Sequence, residues 1–97
     1  MDEKETALIT GASRGIGYEF AKLCASEGYD LILVARNKER LKEVARELVK
    51  KHQIEVKVIA LDLSESQSSM RLFKELKKAD VKVDLLVNNA GFGMLGE

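Results

Sequence analysis

One short stretch, Thr10-Gly-Ala-Ser-Arg-Gly-Ile-Gly-Tyr-Glu-Phe-Ala-Lys22, carries two chemical patterns at once. Its first half is a glycine-rich turn of the kind that cradles a pyrophosphate. Gly11, at a strand end, permits a sharp turn, and Gly15 lets backbone approach a phosphate with no Cβ in the way. Gly17 lets the following helix pack close to the sheet. A pyrophosphate would then lie against the unpaired N–H groups and positive dipole end of that helix. No Gly-Lys-Ser/Thr follows, so the phosphate loop of ATPases fits worse. The second half, Tyr18-x-x-x-Lys22, has the spacing of a proton-transferring pair.

Both patterns need particular elements around them. Thr6–Thr10, Leu31–Ala35, Val56–Ala60 and Leu85–Asn88 read as strands, rich in apolar and β-branched residues. The second and fourth are nearly continuous in apolar character, as expected of strands covered on both faces. Between them run helical patterns of period 3.6. In the first, Ile16, Phe20, Leu23 and Cys24 share a face; in the second, Leu41, Val44, Ala45, Leu48 and Val49 do, with Asn37 or Lys38 at the start. In the third, Met70, Phe73, Leu76 and Lys77 mark the turns, with Leu72 and Ala79 at the margin, and Ser64-Glu-Ser-Gln67 reads as an opening capping box. The order βαβαβαβ predicts an α/β fold, a doubly wound parallel sheet with right-handed crossovers. The first two helices are expected on one face and the third on the other.

Composition narrows the partners. Apolar residues are 45% and charged residues 33% of the 97, which suits one globular domain. Sixteen basic residues balance sixteen acidic ones, leaving no global field to favour nucleic acid or a membrane surface. No apolar run approaches the roughly 20 residues that span a bilayer, and the acidic start Met1-Asp-Glu-Lys-Glu does not resemble a signal peptide. A cytoplasmic location is the expectation. Cys24, the single cysteine, reads as a small core residue, and His52, beside Lys50 and Lys51, as a positive group at a helix end. No constellation of metal ligands is present in the sequence.

Two further stretches repeat the message of the glycine turn. Asp62-Leu63 follows the third strand, and Asn88-Asn-Ala-Gly91 ends the fourth. With Thr10-Gly-x-x-x-Gly-x-Gly17, these resemble the short-chain dehydrogenase/reductase family in motif, order and spacing across essentially the whole chain. The resemblance implies a partial Rossmann-like NAD(P)-binding domain over residues 1–97, truncated after the fourth strand. It implies cofactor contacts from Gly11, Ser13, Arg14, Gly15, Ile16 and Gly17, and an adenine contact from Asp62 supported by Leu63. Asn88 would steady the sheet, and Asn89, Ala90 and Gly91 would line the adenosine ribose.

The end of the second strand selects the cofactor. A carboxylate there would accept hydrogen bonds from a free ribose 2′-hydroxyl, whereas this chain has Ala35-Arg36-Asn37. Arg36 can reach a 2′-phosphate, and Arg14 can close on it from the other side. Two such contacts, at roughly 1.5–3 kcal/mol each, predict NADP(H) over NAD by at least about tenfold. The helical wheel sets Tyr18 and Lys22 opposite the apolar sector, facing away from the crevice. In the family the Tyr-x-x-x-Lys pair, with a serine and an asparagine, belongs to elements beyond this stretch. No catalytic residue is therefore assigned, and Tyr18/Lys22 reads as a coincidence of spacing.

The leading reading is the NADP(H)-binding N-terminal part of an oxidoreductase. Its full-length parent would move a hydride between NADP(H) and a carbonyl or alcohol substrate. A free-standing nucleotide-binding or regulatory module is the alternative, and a scaffold with no ligand is disfavoured by the three coordinated motifs. Phe92-Gly-Met-Leu95 would lie near the site entrance without naming a substrate. An open fourth strand and bare sheet faces predict self-association or marginal stability.

Overall fold

Alternate residues of the two central strands go to opposite faces, and both faces are buried. The computed structural model describes residues 4–63, 65 and 67–89. In chain order these form β1 (Thr6–Thr10), α1 (Gly15–Ser26), β2 (Asp30–Ala35), α2 (Lys38–Lys51), β3 (Val56–Ala60), α3 (Ser68–Lys78) and β4 (Leu85–Val87). The strands pair in parallel in the order β3-β2-β1-β4, with Ile9 opposite both Leu33 and Val87. Ala7, Ile9, Leu31 and Leu33 pack with residues of α1 and α2 on one face. Leu8, Ile32, Val34 and Ile59 pack with Leu72 and Leu76 of α3 on the other. This is the predicted doubly wound α/β arrangement, with the helices divided between faces as expected. Among the described residues no helix is long and apolar enough to cross a membrane.

Two aspartates hold the strand starts in register. Asp30 Oδ1 accepts the Glu55 N–H at 2.9 Å, tying β2 to the residue before β3. Asp84 Oδ2 accepts the Thr6 N–H at 2.9 Å, while the Asp84 N–H donates to the Thr6 carbonyl at 2.8 Å. Pinned at this end, the strands finish together at the other, where the glycine turn begins. β4 stops at Val87, one residue before the predicted end, and Asn88 turns its side chain to Thr10 instead.

The helix faces depart from expectation in a consistent way. On α1 the buried line is Gly17, Ala21, Cys24 and Ala25. Of the predicted face only Cys24 is inside; Ile16 is 65% exposed, Leu23 55% and Phe20 40%. The periodicity was set by the large apolar residues, but a helix drawn this near the sheet has room only for small ones. Tyr18, predicted to face outward, is half-buried against the α1/α2 core. On α2 the buried residues Leu41, Val44 and Leu48 match the prediction, while Val49 is exposed. Asn37 caps α2 by accepting the Arg40 N–H at 3.0 Å.

On α3 the inward line is Ser68, Leu72 and Leu76, and the predicted Met70 and Phe73 are exposed. The capping box placed at 64–67 includes Ser64 and Ser66, which lie outside the described residues. The helix opens at Ser68, Gln67 makes no side-chain cap bond, and the Ser68 hydroxyl donates to the Asp62 carbonyl.

The small-residue face of α1 makes a direct prediction. Ala21→Leu should destabilise the fold by about 1–3 kcal/mol through overpacking, whereas Leu23→Gln should stay within about 0.5 kcal/mol. Urea unfolding midpoints that ranked the two the other way would overturn the assignment of that face.

Candidate functional site

The carboxyl ends of β1, β2 and β3, with the first turns of α1 and α2, enclose an open cleft of about 890 Å³. Parallel α/β sheets bind ligands at this end, where the chain crosses from one face to the other. Nine of the residues assigned from sequence line it: Gly11, Ser13, Arg14, Gly15, Ile16, Arg36, Asp62, Leu63 and Asn89. Gly17 sits beneath the turn rather than in the wall, and Ala90 and Gly91 lie outside the described residues.

The turn is built by contacts that exclude a Cβ. One added at Gly17 would sit 2.0 Å from the Gly11 carbonyl oxygen, and one at Gly11 would sit 2.4 Å from the Asn89 carbonyl oxygen. Gly15 has φ +64° and only open space where a Cβ would be. Gly11 and Gly17 therefore let the turn, α1 and the segment after β4 touch, while Gly15 leaves the cleft wall bare. The buried Thr10 hydroxyl fastens the same region. It donates to Asn88 Oδ1 at 3.0 Å and accepts the Asn89 N–H at 2.7 Å.

The open end of α1 suits an anion. Arg14 occupies the cap position without a side-chain cap bond, and the first turn holds no acidic residue. No carboxylate of the helix's own first turn therefore offsets the leading N–H groups and dipole. Arg14 and Arg36 are exposed, and neither pairs with a carboxylate among the described residues. The lining joins Arg14 and Arg36 to apolar Val34, Leu61 and Leu63 and to the carboxylates Glu39, Glu43 and Asp62, a mixture that fits a phosphorylated nucleotide.

Sequence reasoning missed Arg40, which also lines the cleft. Its Nε donates to the Ser13 carbonyl at 2.8 Å, and a terminal nitrogen pairs with Glu43 at 3.3 Å. Glu39 and Glu43 line the cleft from successive turns of α2. The signal was available, since Asn37 as a cap puts residues 38–40 in the first turn of a helix starting at the carboxyl end of β2.

Tyr18 and Lys22 stand outside this cleft. The Tyr18 hydroxyl donates to both Glu47 oxygens, at 2.8 Å each, and Lys22 Nζ lies 4.8 Å from the ring centroid. The hydrogen bond to Glu47 pushes the phenol above its ordinary pKa of 10.0, with burial and the carboxylate's charge adding to it; Lys22 and Arg40 pull down and do not prevail. A proton-transferring tyrosine at neutral pH needs the opposite shift. Cys24 is buried, and desolvation pushes its thiol up as well, away from the reactive thiolate.

The short chain dehydrogenase family matches residues 5–97, and the chain belongs to that family. A very-long-chain 3-oxoacyl-CoA reductase of Kluyveromyces lactis is 40% identical over 86 residues, covering 88% of this chain and 25% of that protein. The structure of L-sorbose reductase from Gluconobacter frateurii, complexed with NADPH and L-sorbose, has TM-score 0.84 at 37% identity, over 94% of this chain and 35% of that one. A short-chain dehydrogenase from Sphingobium yanoikuyae in complex with NADPH has TM-score 0.82 at 39% identity, over 91% and 34%. This chain thus spans about a quarter of the length of the curated relatives it matches.

The Tyr18–Glu47 bond carries a pH signature. A raised phenol pKa means the stability it contributes is fully present below pH 10.0 and is lost as pH rises through the folded-state value. Wild type should be more stable than Tyr18→Phe at neutral pH, by about 1 kcal/mol. The difference should shrink and then reverse in strongly alkaline solution, where tyrosinate faces Glu47. Chemical denaturation across pH checks this, and a difference independent of pH would refute it.

Proposed function

We propose that this chain forms the NADP(H)-holding part of a short-chain oxidoreductase that acts on a carbonyl or alcohol substrate. One observation carries the reading. Arg14, in the glycine turn, and Arg36, at the end of β2, line a single cleft with the uncapped start of α1, and neither is neutralised by a carboxylate among the described residues. The NADPH in two related structures supports the same choice of cofactor.

When bound, NADPH supplies the hydride that reduces a carbonyl. The residues of this chain hold and orient it. The first N–H groups of α1 meet the pyrophosphate, and Gly15 clears its approach. Arg14 and Arg36 would hold the 2′-phosphate, with planar forks suited to phosphate oxygens. Asp62 and Leu63 receive the adenine end, and Asn89, tied through its N–H to Thr10, borders the ribose.

The open side of the sheet supports a second part of the reading, association through β4. Among the described residues β4 is hydrogen-bonded to β1 alone, Leu86 is 60% exposed, and Met70 and Phe73 of α3 are exposed as well. Such an edge pairs readily with another chain. Sedimentation of the 97-residue chain should show self-association, and a monodisperse monomer with a sharp, high-temperature melt would argue against it.

Fluorescence titration with NADPH and NADH tests the cofactor assignment. NADPH should bind at least about tenfold more tightly, and Arg36→Ala should narrow that ratio. An unchanged ratio in Arg36→Ala would remove that residue from the site. Equal affinities in the wild type would refute the NADP(H) reading itself.

A further inference from the structure

Arg14 and Arg36 lie on different elements, and a shared grip on one phosphate demands a fixed distance between them. Arg14 sits in the turn after β1, and Arg36 follows β2. One residue is bonded to the neighbours of both. The Arg40 backbone N–H donates to Asn37 Oδ1 at 3.0 Å, immediately after Arg36. Its side-chain Nε donates to the Ser13 carbonyl at 2.8 Å, immediately before Arg14.

Two further contacts engage the Arg40 guanidinium. A terminal nitrogen pairs with Glu43 at 3.3 Å, and the Cζ lies 5.2 Å from the Tyr18 ring centroid. Tyr18 is itself anchored by its hydroxyl to Glu47, on the same helix as Arg40. The ring therefore forms a platform under the guanidinium, and the stack is a cation–π contact that favours arginine's planar group. This gives Tyr18 a use that its spacing to Lys22 did not suggest. It supports the arginine that links α2 to the glycine turn.

We propose that Arg40 is a positioning residue for cofactor discrimination: it clamps the Ser13 carbonyl to the start of α2, and so sets Arg14 and Arg36 at the separation a 2′-phosphate needs. It acts through Arg14 rather than on the phosphate, because its Nε, one terminal nitrogen and its face are already committed within the protein. The inference rests on the NADP(H) reading above and deepens it.

A double-mutant cycle on the 97-residue chain tests it, with the ratio of NADH to NADPH dissociation constants as the readout. Arg14→Met, Arg40→Met and the pair keep the aliphatic stems and remove the guanidinium groups. Arg40→Met should lower the ratio about tenfold, the scale of one charge-assisted contact, while NADH affinity changes much less. The pair should lose no more than the larger single loss, because Arg40 works through Arg14. Arg40→Lys, which keeps the charge without the Nε fork, should also lower the ratio, and it stands in if Arg40→Met fails to fold by circular dichroism. Additive losses, or a ratio preserved in Arg40→Lys, would mean that Arg40 acts by its charge on the phosphate and would overturn the proposal. An unchanged ratio in Arg40→Met would do the same. A wild-type chain without NADPH preference would remove the underlying cofactor reading, and this inference with it, before any variant is compared.

Discussion

Of the described glycines, Gly17 is the one with least room for a side chain, where the start of α1 meets the turn that precedes it. A methyl group on Gly17 would lie 2.0 Å from the Gly11 carbonyl oxygen and 2.9 Å from Asn89 Nδ2. Because no Cβ intervenes, α1 enters close against the sheet, and the line that follows Gly17 inward must be small: Ala21, Cys24 and Ala25. The same approach brings Asn89 against the turn, where Thr10 secures its N–H. The cleft exists because these three segments meet over the strand ends.

Electrostatics then divides the molecule along its length. At the strand starts, Asp30 and Asp84 use their carboxylates on backbone N–H groups, so charge there serves register. At the strand ends, the start of α1, Arg14 and Arg36 come together at one cleft, where charge serves the site. Arg40 belongs to both tasks, as a cation in the cleft wall and as a hydrogen-bonding brace between two elements. Its pairing with Glu43 partly offsets its charge, whereas Arg14 and Arg36 line the cleft with no such partner among the described residues.

Large apolar residues of α1 and α3 face outward, Ile16, Leu23, Met70 and Phe73, and among the described residues β4 pairs with β1 alone. A parallel sheet of this kind buries strands by covering both faces. Here β1 and β2 are covered and buried, whereas Leu85 and Leu86 of β4 remain at least partly exposed. Amphipathic periodicity identifies that a residue is apolar at helical spacing. It does not identify which neighbour the residue meets.

The order of strands and helices along the chain and the glycine turn were legible in the sequence because each rests on local chemistry. Periodicity, the Asn37 cap and the spacing of Gly11, Gly15 and Gly17 all act within one or two turns of chain. The family motifs likewise placed Asp62, Leu63 and Asn89 at strand ends, and the structure brings them to one cleft. What the sequence by itself determined, then, was the alternation of elements and the segments that converge at the carboxyl end of the sheet. Only the tertiary structure decided which face of α1 is buried, that Tyr18 bonds Glu47 instead of serving Lys22, and that Arg40 reaches Ser13. Those outcomes depend on how near two elements come to each other across a gap of 27 or 29 residues. That distance is set by the missing Cβ at Gly17 and the volumes packed beneath the helix, and no pattern of residue types along the chain encodes it.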